Sequence, residues 1–167
     1  RNNLNLNDFV GLSSLESVGD FCICDYTGYV AGGNIYIENN QNLTDISGLS
    51  NLRYIGGFID YGGGSFNIKN NNSLTLITGL NIDTMNGSLN ITNNSSLTHI
   101  NEVSVSYTLG LNVSDNSNLL NINGLYIGRV GDFESSGYVN ISNNSLLNSI
   151  DDGLDIRNIY GSLNILN

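Results

Sequence analysis

Catalysis has little to work with in this chain. Its one histidine, His99, stands between Thr98 and Ile100, where a side chain alternating with apolar neighbours faces solvent, and no nucleophile is placed to pair with it. His99 therefore reads as an ordinary exposed side chain. Asp151, Asp152 and Asp155 lie close in sequence, but their spacing matches no calcium loop, and a solvated corner accounts for them. A glycan-cleaving groove needs paired carboxylates or a basic residue facing it. Arg53, Arg129 and Arg157 do recur, yet balancing a negative surface explains them. No catalytic residue, cofactor or metal site is expected, and the chain is not read as an enzyme.

Two features carry covalent chemistry. Cys22 and Cys24 flank Ile23; with Phe21 and Ile23 inward, both thiols face outward, about 6.5 Å apart, at the upper edge of what a disulfide accepts. Without a His or Cys partner set the pair is not a zinc site. A local bridge is the first choice, with an intermolecular bridge or two free thiols as the alternatives. Nine Asn-x-Ser/Thr acceptor sequences begin at Asn42, Asn71, Asn86, Asn90, Asn93, Asn94, Asn112, Asn140 and Asn143.

Composition narrows the class. The chain has 167 residues, a formal charge of −10 with only five Lys plus Arg, no Pro, no Trp, thirty-one Asn and twenty Gly. Nucleic acid and anionic lipid both require clustered cations, so neither is an expected partner. No apolar run of about 18 residues is present, so membrane insertion is not expected. The 40% of hydrophobic residues recur regularly, which favours an ordered single domain over residues 1–167. No leader is visible, and opening at Arg1 within a repeat suggests a mature product or an excerpt of a longer protein.

That regularity is a repeat. Gly33-Asn-Ile-Tyr-Ile-Glu-Asn-Asn40, Gly64-Ser-Phe-Asn-Ile-Lys-Asn-Asn71, Gly87-Ser-Leu-Asn-Ile-Thr-Asn-Asn94, Gly110-Leu-Asn-Val-Ser-Asp-Asn116, Gly137-Tyr-Val-Asn-Ile-Ser-Asn-Asn144 and Gly161-Ser-Leu-Asn-Ile-Leu-Asn167 share one pattern. The anchors Ile37, Ile68, Ile91, Val113, Ile141 and Ile165 are spaced by 31, 23, 22, 28 and 24 residues. Each complete copy continues with a pair such as Leu97/Ile100 and, in most, a third apolar set such as Leu49/Leu52/Ile55. The longer copies carry insertions after Phe21, Phe58 and Phe133, which places them at one corner. Alternation of period two with β-branched residues describes strands. The expected fold is all-β: a parallel β-helix, or β-solenoid, of about six coils with three short strands each, open at both ends.

Asparagine tolerates the left-handed backbone of a sharp corner, and its amide bonds groups that a turn leaves unpaired. Stacked in register, Asn40, Asn71, Asn94, Asn116 and Asn144 would form a ladder; the alternative is that they are simply good turn formers. Among the acceptor sequences, Asn90, Asn112 and Asn140 fall mid-strand, where neighbours about 4.8 Å apart crowd a glycan. Asn42, Asn86, Asn94 and Asn143 lie near corners and are the glycosylation candidates in a secreted eukaryotic protein.

The phrase Gly87-Ser-Leu-Asn-Ile-Thr-Asn-Asn-Ser-Ser-Leu-Thr-His-Ile100, with Gly48-Leu-Ser-Asn-Leu-Arg-Tyr-Ile-Gly56, resembles the receptor L-domain repeat of insulin- and epidermal-growth-factor-receptor ectodomains and related Asn-rich surface glycoproteins of fungi and protists. The resemblance runs over essentially the whole chain. It implies an extracellular or cell-surface right-handed β-helix that often carries N-linked glycans. Disulfide-bonded end caps are usual there, and this chain has only Cys22 and Cys24. No ligand-contacting residue carries over.

The ends are complementary in register. Asn2-Asn3 to Leu12 aligns without gaps to Asn70-Asn71 to Leu80, whereas Gly161 to Asn167 is the opening strand of a copy; joined, they make one more repeat with about two surplus residues. Unpaired strand edges recruit another chain. Head-to-tail self-association into a fibre or extended array is one expectation, a window from a longer repetitive protein is another, and an isolated capped domain is the third. A recognition module is the alternative function, with Tyr26, Tyr29 and Tyr61 of the insertions contacting a carbohydrate or protein. Ice binding is the remote one, since the outward positions mix Tyr36, Asn67 and Lys69 where a flat threonine ladder would be needed.

Overall fold

Strands form where apolar and polar residues alternate, and in this chain they do so once per repeat. The computed structural model describes residues 1–19, 32–56, 63–150 and 153–166, and over these the protein is all-β with parallel sheets, broken by two short 3-10 turns at Val10–Leu12 and Ser47–Leu49.

The largest sheet has six strands: Ile35–Glu38, Phe66–Lys69, Ser88–Thr92, Gly110–Ser114, Gly137–Ser142 and Gly161–Leu166. Their order in space is their order in the chain, and every neighbouring pair is parallel. Register follows the repeat, so that Ile37, Ile68, Ile91, Val113, Ile141 and Ile165 form one column. A slip of one residue would turn this column outward, and burial of Leu89 and Ile91 beside half-buried Asn90 forbids it.

A second parallel sheet joins Asn81–Ile82, Val103–Thr108, Leu125–Val130 and Leu154–Ile159. A third joins Ser17–Val18, Tyr54–Ile55 and Thr84–Met85. The repeat around Asp83 contributes to both. Its spacing is mixed, with Leu80 and Ile82 two apart and Met85 three further on; apolar residues three apart, as Ile46 and Leu49, span the 3-10 turn Ser47–Leu49, whereas Leu125 and Ile127, two apart, lie in one extended strand. The stretch from Val103, a looser copy by sequence, is a full strand in register with Leu125–Val130.

Three strands in every repeat is more than the structure has. The second apolar pair lies in strands only at Leu76–Thr78 and His99–Asn101, with one further bridge from His99 to Asn121, among the described residues. The segment directly after the corner is a tight turn in these repeats and in the others alike, closed by bonds such as Leu74 N–H to Asn71 O and Leu119 N–H to Asn116 O, both at 3.0 Å, with Leu43, Leu74, Leu97 and Leu119 fully inside.

One apolar core runs past every repeat. Phe66, Ile68, Leu80, Ile82, Met85, Leu89 and Ile91 are completely buried. Each such side chain contributes roughly 1.5–3 kcal/mol by leaving water. Toward the outer repeats burial fades: Leu6, Phe9, Ile156 and Ile159 are partly covered, and Leu163 and Leu166 are 56% and 63% exposed.

Candidate functional site

The corner after each large-sheet strand places two asparagines, and the backbone divides their roles. The first of each pair takes a left-handed conformation: Asn2, Asn39, Asn70, Asn93 and Asn143 have φ of 55–58°, and Asp115 fills the equivalent place at 59°. Asparagine and aspartate accept this region at lower cost than other residues with a Cβ. The second member turns inward. Asn40, Asn71, Asn94, Asn116 and Asn144 are all buried.

These buried amides form a ladder with a single direction. The backbone N–H of Asn3 donates to Oδ1 of Asn40 at 3.0 Å, Asn40 to Asn71 at 3.1 Å, Asn71 to Asn94 at 3.0 Å, Asn94 to Asn116 at 3.0 Å and Asn116 to Asn144 at 3.1 Å. In the other direction the Nδ2 groups of Asn71, Asn94, Asn116 and Asn144 donate to the carbonyls of Ile37, Ile68, Ile91 and Val113 at 2.8–2.9 Å. Each interior rung thereby ties three successive repeats together. At the outer end Asn3 joins only through its backbone N–H; its side chain is exposed and accepts from the Asn5 N–H.

A second row lies on the outer face of the large sheet. Nδ2 of Asn90 donates to Oδ1 of Asn67 at 3.0 Å, Asn140 to Asn112 at 2.8 Å and Asn164 to Asn140 at 2.7 Å. The left-handed residues also pair, Asn70 to Asn39 at 2.8 Å and Asn143 to Asp115 at 3.0 Å. Recurrence of Asn at three fixed offsets is the sequence signal for these rows.

Burial sorts the glycan acceptors. Asn94 has no exposed surface and both amide atoms are committed inside the ladder, so a glycan there would remove a rung; Asn86 is 5% exposed. Both are corrected as acceptors: position at a corner does not bring these asparagines to the surface. Asn42 and Asn143 are exposed. Cys22, Cys24, Tyr26, Tyr29, Tyr61, Asp151 and Asp152 lie outside the described residues.

The arginines do more than balance charge. Arg129 lies over the Tyr107 ring at 4.6 Å and Arg157 over Tyr126 at 5.1 Å, while Arg53 donates from Nη1 to the Asn81 carbonyl at 2.6 Å. The Tyr107 hydroxyl donates to Oδ2 of Asp132 at 2.7 Å. Burial, and then the bond to this carboxylate, push the Tyr107 phenol up to about 12. That hydroxyl and the N–H groups of Ser135 and Glu134 hold Asp132 below the usual carboxylate range. The result pins the turn that displays Phe133, which is 92% exposed with its ring edge-on to Tyr160.

His99 is half-buried in its strand, with Nδ1 2.8 Å from the Thr98 hydroxyl. No three His, Cys, Asp or Glu side chains of the described residues gather as a metal site would require, and no helix among them is long and apolar enough to cross a membrane. Compared with family models, with curated proteins and with solved structures, the chain matches none.

Proposed function

We propose that this chain is an extracellular structural protein: a right-handed β-solenoid of about six L-domain-like coils whose copies stack head to tail into a fibre. The observation that carries this reading is the likeness of the two outermost strands of the large sheet. Ile35–Glu38 and Gly161–Leu166 occupy the same columns, Tyr36 with Asn164 and Ile37 with Ile165, and each leaves one edge without a neighbouring strand among the described residues. Apolar residues near these two edges, Leu4 and Val10 at one and Leu163 and Leu166 at the other, are exposed, whereas the columns within the stack are buried. A further repeat set on either edge would find the hydrogen-bonding and apolar surface that each interior repeat finds.

N-linked glycans fit this reading at Asn42 and Asn143, both on exposed corners.

Negative-stain microscopy of the purified chain tests the proposal. Six strands per copy at about 4.8 Å each give filaments with an axial repeat of about 29 Å. Discrete single particles at high concentration would contradict it.

A further inference from the structure

We propose that Asn123-Gly124 is a self-modifying site, at which the folded chain converts an asparagine to aspartate and isoaspartate with no reagent but water. The sequence holds two Asn-Gly pairs, Asn86-Gly87 and Asn123-Gly124, and glycine is the residue whose amide nitrogen is least shielded from a preceding side chain. The fold treats the two oppositely.

Asn86 is buried, its N–H donates to the Ile55 carbonyl at 3.2 Å, and the Gly87 carbonyl accepts from both the Leu109 N–H and the Thr108 hydroxyl at 2.8 Å. Gly87 is also packed against main chain, since a Cβ there would lie 2.7 Å from the Gly64 carbonyl carbon. No room is left for a new ring. Asn123 and Gly124 are both exposed. Among the described residues the Asn123 amide has no hydrogen-bond partner for its side chain, and the Gly124 N–H has no acceptor. Gly124 adopts φ of +78°, outside any strand.

The step balances without an oxidant. The Gly124 amide nitrogen gives its proton to solvent base and attacks Cγ of Asn123; the new N–Cγ bond forms, the Cγ–Nδ2 bond breaks, and ammonia leaves with the proton. Water then opens the five-membered imide at either carbonyl. One product carries an ordinary aspartate at this position, and the other carries the chain through the side-chain carbon, one methylene longer. Either adds a negative charge to a chain already at −10, at a corner where Gly124 packs against the Glu102 backbone and its carbonyl accepts the Val103 N–H at 3.0 Å. The longer product also shifts the entry to Leu125–Val130, so the site acts as an ageing mark on one corner of the stack.

Peptide mapping by mass spectrometry tests this on the intact chain, incubated at mildly alkaline pH both folded and in urea. In the folded protein Asn123 should convert and Asn86 should not; in urea both should convert, and Asn123→Gln should abolish the folded-state product while leaving the circular dichroism unchanged. Retention of Asn123 in the folded chain while it converts in urea would overturn the proposal, as would equal conversion of Asn86 and Asn123 in the folded protein.

Discussion

Two adjacent asparagines in one corner carry different loads. Asn93 supplies a left-handed backbone at φ 55° and faces solvent, a task that glycine performs without a Cβ. Asn94 supplies, from its side chain, an acceptor to the Asn71 N–H and a donor to the Ile68 carbonyl of the preceding repeat, and from its backbone N–H a donor to Asn116 Oδ1 of the next, in a place water cannot reach. Replacing Asn94 with Ala strands the Asn71 N–H and the Ile68 carbonyl, each costing about 1–3 kcal/mol when buried and unpaired. In urea unfolding, Asn94→Ala should therefore lose about 3 kcal/mol, and Asn93→Gly should stay within about 0.5 kcal/mol. Equal losses would remove the division of roles. The doublets and their ladder were legible because Asn recurs at fixed offsets in a column of period two. The ladder members named from sequence are the inward ones, but that the asparagine before each carries the left-handed bend was not legible, since both are chemically the same and only the dihedral angles separate them. The same ambiguity put Asn94 among the glycan acceptors.

At the scale of the element, alternation predicted the large sheet well: Leu89, Ile91 and the column through Val113 stand where the pattern put them. The turn-rich face was harder to read. A spacing of three between apolar residues suits a tight bend as well as an irregular strand, and Ile46, Leu49 and Leu52 follow such a bend, closed by Leu49 N–H to Ile46 O and Leu52 N–H to Leu49 O, before the strand Tyr54–Ile55 begins. The glycines that open the repeats were visible in sequence, but the reason for them is packing. A Cβ on Gly64 would run into the backbone of Gly56 and of Gly33, so neighbouring main chains meet there with no space for a side chain. Gly64→Ala should cost about 3 kcal/mol or more, because backbone on both sides cannot move aside. Gly11→Ala, with nothing within 4 Å of the added carbon, should leave the urea midpoint nearly unchanged. A small effect at Gly64 would mean that the strands approach less closely than described.

For the whole molecule, the physical claim is that one surface is used repeatedly: what lies between neighbouring repeats inside the chain is also what lies between neighbouring copies. Leu163, Ile165 and Leu166 on one edge, and Ile35–Glu38 on the other, where Asn2 N–H bonds the Glu38 carbonyl at 2.9 Å, have no further neighbouring strand among the described residues. Cysteine cross-linking reads this contact directly. In a chain with Cys22 and Cys24 changed to Ser, Tyr36→Cys and Asn164→Cys would stand in the same column of adjoining copies, about 4.8 Å apart, inside the range of a disulfide. Pairing Tyr36→Cys with Ser162→Cys offsets the thiols by two residues and carries their Cα atoms more than about 7 Å apart. Under mild oxidation the first variant should run as a ladder of covalent multimers on a denaturing gel and the offset variant as monomer. Monomer from both, or equal ladders from both, would contradict in-register stacking of one copy on the next.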